Sequence, residues 1–119
     1  MEAAALAREL RAQGIEHLHN HIGQNSATVA MLAAGIADIP YSITIHGPLE
    51  FDRPQALALS TKVARSAFTI AISDYGRSQL MRWTPPAAWN RIKVLRCGVA
   101  PEFLNEPVTP PVADARLVC

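Results

Sequence analysis

The sequence predicts an α/β protein built on an open parallel sheet, a Rossmann-like sandwich. Three observations predict it. Short β-branched or continuously apolar runs recur along the chain, at Tyr41-Ser42-Ile43-Thr44-Ile45, Ala67-Phe68-Thr69-Ile70-Ala71-Ile72 and Ile92-Lys93-Val94-Leu95-Arg96. Helix-forming stretches separate them, so the strands cannot pair as hairpins. They must lie parallel, joined by right-handed crossovers, with helices expected on both faces. The 119 residues are 50% hydrophobic and 18% charged, a balance that suits one folded domain and excludes disorder as the main state.

Each element has a local cause. Residues 3–13 are rich in Ala, Leu, Arg, Glu and Gln and favour helix, with Gly14 placed to stop it. A rough alternation after Gly14 predicts a short strand at about residues 15–20. Asn25 or Ser26 can cap a helix over 27–37 that is apolar almost all round, and so is expected to be buried on most sides. Asp38, Ile39 and Pro40 end it before the strand at 41–45. Pro54 is expected to open a helix through Ser66, with Asp52 as its cap. Residues 67–72 form a continuous apolar run suited to a strand buried on both faces. Ser73 caps a helix running to about Trp83, a loop with Pro85, Pro86 and Trp89 follows, and residues 92–96 form the last strand, stopped by Cys97-Gly98. Pro101, Pro107, Pro110 and Pro111 then read as an extended linker over 101–114, and residues 115–119 as the start of a new strand. With a helix at the very beginning, this pattern leads us to expect a piece of a larger two-domain protein.

Charge and composition exclude several classes of function. A net charge of +1 lacks the basic excess of a nucleic-acid binder, so no nucleic-acid partner is expected. No apolar run reaches the roughly 20 residues that cross a bilayer, and the first residues lack a signal-peptide pattern. Cys97 and Cys119 make neither a disulfide framework nor a metal quartet, and a cytoplasmic location is expected. The nucleotide-binding loop G-x-x-x-x-G-K-[ST], the G-x-S-x-G elbow and a dinucleotide fingerprint are absent, and no cofactor is expected.

In open parallel sheets, ligands gather at the carboxyl ends of the strands. The residues expected there are polar or glycine: His21, Gly23 and Asn25 after the first strand, His46, Gly47 and Glu50 after the second, Ser73 after the third and Gly98 after the fourth. His46 leaves a buried strand and can exchange a hydrogen bond in the crevice, and Gly47 lets the backbone approach a ligand. Ser73 opens a helix whose first amides suit an anionic or hydroxyl-rich ligand, although a plain N-cap accounts for it equally. His17, His19 and His21 share one strand face if the strand persists. Zinc would need a closed ligand set, for which His46, Glu50 and Asp52 are the available additions. Without one, no stoichiometric metal is expected. The scattered Arg53, Lys62, Arg65, Arg77 and Arg82 are expected to face solvent.

Five segments, His19–Gly23, Asn25–Ala30, Ile39–Pro48, Ala71–Ser73 and Val94–Val99, together resemble the family-4 retaining glycosyltransferases of the GT-B fold, with the flavour of bacterial exopolysaccharide enzymes of the colanic-acid type. The resemblance spans nearly the whole chain, in order. It implies that residues 1–100 are the second half of an acceptor-side Rossmann-like domain, that 101–114 join two domains, and that 115–119 begin the donor domain. It implies transfer of a hexose from a nucleotide diphosphosugar to a growing, lipid-linked saccharide acceptor. It implies that His46 contacts the transferred sugar as the catalytic-site histidine, with His21, Gly47, Glu50 and Ser73 binding substrate around it. Peripheral contact of the parent protein with the inner face of the membrane would fit such an acceptor. The family's first strand, its Arg/Lys pair on the diphosphate and its Glu-x7-Glu motif are not in this sequence, so the chain alone is expected to be inactive. Two other readings compete: a metal-dependent hydrolase using His17, His19 and His46, and a non-catalytic α/β binding module.

Overall fold

A computed structural model describes residues 1–105 and Pro107. The order of elements is α1 (Glu2–Ala12), β1 (Leu18–His21), α2 (Asn25–Ala37), β2 (Tyr41–Ile45), α3 (Leu49–Asp52), α4 (Leu59–Arg65), β3 (Phe68–Ala71), α5 (Asp74–Trp83), β4 (Ile92–Val94) and α6 (Pro101–Asn105), with a 3-10 helix at Pro86–Arg91 before β4. The four strands form one sheet in the order β1-β2-β3-β4, and every neighbouring pair is parallel. The predicted α/β class with a parallel sheet is the fold observed.

The strand order corrects one expectation. When successive strands lie side by side in chain order, right-handed crossovers all return on the same side of the sheet. Accordingly α2, α4 and α5 pack side by side on one face, where the reading of the sequence placed helices on both. There Tyr41, Ile43 and Ile45 of β2, Ala71 of β3 and Ile92 of β4 meet Ala27 and Ala34 of α2, Leu59 and Val63 of α4 and Leu80 of α5 in the main apolar core. A second cluster joins α1 to α2, with Ala7 and Leu10 against Ala33 and Ala37. Helix α2 buries its alanine stripe between α1 and the sheet. Its larger Leu32 and Ile36 remain exposed, so it is less enclosed than its uniform apolarity suggested.

Other differences are local. The first strand begins at Leu18, because Gly14 adopts a left-handed conformation (φ 64°) and the chain folds back until Ile15 donates to the Leu10 carbonyl. The segment expected to be helical from Pro54 to Ser66 is so only over Leu59–Arg65, its N-cap is Ala58, and Asp52, the expected cap, instead ends a separate short helix that precedes Pro54. Helix α3 ends at Asp52, the chain turns with Leu59 donating to the Pro54 carbonyl, and Ala58 at φ 50° restarts the helix as α4. That break turns Leu59 and Val63 into the core, both fully buried. The strands at 67–72 and 92–96 are trimmed to Phe68–Ala71 and Ile92–Val94. Pro101 opens α6 at a position where its missing N–H costs nothing, so residues 101–105 are helical and not extended. The rest of the expected linker, apart from Pro107, and the strand expected at 115–119 lie outside the described residues. Among the described residues no helix is long and apolar enough to cross a membrane.

Candidate functional site

Parallel pairing brings the carboxyl ends of all the strands to one edge. His21 lies opposite Thr44, and Ile45 opposite Ala71, which pairs in turn with Val94. His21 ends β1 and His46 follows β2 directly, so their side chains meet at this edge, with Nδ1 of His21 3.2 Å from Nε2 of His46. Both rings are solvent-exposed. One nitrogen must donate and the other accept, so the contact survives with neutral rings or with one imidazolium, and double protonation breaks it.

A cavity of about 250 Å³ opens beside this pair, lined by His21, Ile22, Gln24, His46, Gly47, Leu49 and Glu50. Ile22 and Leu49 are 46% and 62% exposed and give the cavity an apolar rim. Gly47 has φ 65°, a region open to glycine, and a Cβ there would lie 2.5 Å from Phe51 Cε2. The Phe51 ring also approaches Gly76 in the first turn of α5 and packs edge-on against Tyr75. Thus Phe51, an apolar residue with no motif around it to mark it, carries the β2–α3 loop onto the start of α5.

Of the five predicted site residues, four line this cavity: His21, His46, Gly47 and Glu50. Glu50 does so from its floor, being 2% exposed, with Oε1 accepting from the Gly23 N–H at 2.9 Å. Ser73 is not among the lining residues. Its Oγ accepts from the Gly76 N–H at 3.0 Å and so caps α5. Lys62 departs most from expectation. It was expected to face solvent, yet it is 1% exposed, and its ammonium donates to the carbonyls of Gly23 (2.9 Å) and Gln24 (2.8 Å). Burial pulls its pKa below the usual lysine range, while the Glu50 carboxylate opposes the fall. A signal for this was available: Leu59, Lys62, Val63 and Ser66 recur at helical spacing, so Lys62 sits on the inward stripe of α4.

His17 and His19 occupy the sheet face opposite the helices. His17 Nε2 lies 2.8 Å from Ser42 Oγ, and His19 lies 2.6 Å from the same oxygen through Nδ1 and 2.9 Å from Thr44 Oγ1 through Nε2. Both rings stack on Phe68. Desolvation first, then the neighbouring His21 and His17, hold the His19 pKa below 6.5. With both its nitrogens engaged by hydroxyls, His19 has no lone pair free for a metal. Among the described residues no three His, Cys, Asp or Glu side chains converge to hold an ion, which counts against the hydrolase reading.

Residues 2–103 match the family model Glycosyltransferase Family 4. The chain belongs to that family, and the general activity of the family is glycosyl transfer between a sugar donor and an acceptor. No curated protein matches the chain.

Proposed function

We propose that this chain is the acceptor-side part of a two-domain, retaining glycosyltransferase. It would pass a hexose from a nucleotide diphosphosugar to a saccharide acceptor that is lipid-linked, in exopolysaccharide assembly on the inner face of the membrane. The observation that carries the reading is the His21–His46 pair, exposed at the carboxyl edge of a parallel sheet and beside an open cavity, in a chain of the Glycosyltransferase Family 4. Two imidazoles can hold hydroxyls of a sugar by donating and accepting at once. His46 orients the transferred sugar. His21 fixes the His46 ring through their shared hydrogen bond, Gly47 leaves room for close approach, and Glu50 supports the cavity floor. Ser73 contributes through the start of α5. Residues 1–100 form this acceptor-side part and 101–114 lead toward a donor domain. The groups that neutralise the leaving diphosphate would belong to that domain, so the 119 residues by themselves do not complete the reaction.

The test uses the polypeptide in which this chain is continued by a second α/β domain. It is incubated with UDP-glucose, UDP-galactose or GDP-mannose and a polyprenyl-linked saccharide, and the product is followed by mass. Transfer of one hexose with retained anomeric configuration supports the reading. Inverted product, or hydrolysis that depends on added zinc, overturns it.

A further inference from the structure

Two charged side chains are buried beneath the cavity. Glu50 and Lys62 are 2% and 1% exposed, and neither forms an ion pair within 4.0 Å, the one such pair among the described residues being Arg96–Asp74 at the surface. Burying a carboxylate and an ammonium is costly unless both are hydrogen-bonded. Here they are, and both are bonded to the same short loop. Glu50 takes the N–H of Gly23, while Lys62 takes the C=O of Gly23 and of Gln24. The loop between β1 and α2 is therefore gripped by opposite charges at successive peptide units.

That loop requires gripping. Ile22 sits at φ 69°, a conformation a β-branched residue rarely adopts. Gly23 is packed so closely that a Cβ would lie 2.7 Å from Ile45 Cδ1 and 3.0 Å from Glu50 Cγ. Immediately before it stands His21, whose ring must reach His46. Asn20 adds bonds to the carbonyls of His21 and Ile22, at 2.9 and 2.8 Å. The far side of the grip is anchored too, since the Tyr41 hydroxyl donates to the Lys62 carbonyl.

We propose that Glu50 and Lys62 are positioning residues that clamp the Ile22–Gln24 loop and thereby hold His21 within hydrogen-bond reach of His46. The role rests on the reading of the cavity as the sugar-handling site only for its consequence. Its test reads ring and amide signals without any substrate, so it can fail while that reading stands.

The experiment compares wild-type full-length chain with Lys62→Met, Glu50→Gln and Glu50→Ala, using histidine ring ¹⁵N spectra and amide hydrogen exchange. Lys62→Met and Glu50→Ala should shift the His21 and His46 ring signals and speed exchange at the Gly23 amide by about tenfold, the size of one net hydrogen bond. His17 and His19 signals should stay in place. Glu50→Gln keeps an acceptor for Gly23 and should restore both readouts toward wild type. If Lys62→Met does not fold, the two Glu50 variants carry the same comparison. A lowered melting temperature with unmoved His21 and His46 signals would mean these residues merely fill the interior. Failure of Glu50→Gln to restore the signals lost in Glu50→Ala would equally overturn the clamp.

Discussion

The chain's four histidines fall into two pairs that behave differently. His17 and His19 lie on the sheet face away from the helices, bonded to hydroxyls of β2 and stacked on Phe68. His21 and His46 stand at the carboxyl edge, exposed, bonded to each other and beside a cavity. His19 and His21 are two residues apart on the same face of β1. What separates them is the partner each ring reaches: the Ser42 and Thr44 hydroxyls hold the first pair, whereas His21, although opposite Thr44 in register, meets another titratable ring beyond the end of β2. Residue type and shared face therefore do not set a role by themselves. The partner supplied by the next strand does.

Substitution of His46 should separate the two pairs most clearly. In a transfer-competent polypeptide, His46→Ala should lower turnover roughly a hundred- to thousandfold, the loss typical of one transition-state hydrogen bond at about 2.7–4 kcal/mol. The melting temperature should stay near wild type, because the ring is exposed. A large fall in melting temperature would place His46 with the structural pair.

Ser42→Ala addresses the other pair. It removes the hydroxyl shared by His17 and His19 from a fully buried position. The expected cost is about 0.5–1.5 kcal/mol of stability, the net size of an ordinary hydrogen bond, because both rings are exposed to water and His19 keeps its bond to Thr44. Circular-dichroism melting should show that loss, and the His21 and His46 ring signals should not change.

A smaller effect distinguishes a cap from a ligand contact. Ser73→Ala should cost about 1 kcal/mol through loss of the α5 cap, and Ser73→Asn should recover it. A drop in turnover for Ser73→Asn at unchanged stability would move Ser73 into the substrate site.

The smallest effect is on pH dependence. His19 has a folded pKa below the 6.5 of an unperturbed imidazole, so the fold favours its neutral ring. Its contribution to stability is complete above pH 6.5 and is lost as pH falls from there through the folded value, where the unfolded chain binds the proton first. His19→Gln should therefore show a shallower loss of melting temperature on acidification than wild type. An equal slope in the two proteins would contradict the assigned shift.

Much of this arrangement is legible in the sequence. The β-branched run Tyr41–Ile45 and the apolar run about Phe68–Ala71 announce buried strands, and parallel pairing alone brings His21 and His46 to one edge. Sheet order is not legible, because adjacency of strands depends on contacts among distant residues; hence the single helix-covered face. Nor is the break at Ala58, where tertiary packing of Leu59 and Val63 imposes a left-handed alanine against its propensity. Glu50 and Lys62 read as surface or ligand-facing charges because composition records charge and not partners. Only the helical spacing from Leu59 to Ser66 hinted that Lys62 points inward.

The division of the histidines can be tested directly by following all four imidazole ring signals in a ¹⁵N-labelled, transfer-competent polypeptide while UDP-glucose, UDP-galactose or GDP-mannose, whichever it transfers, is titrated in. The His21 and His46 signals should move together and saturate with the donor, and those of His17 and His19 should stay fixed. Movement of His17 and His19 with His21 and His46 unchanged would contradict that division and place the sugar on the open sheet face.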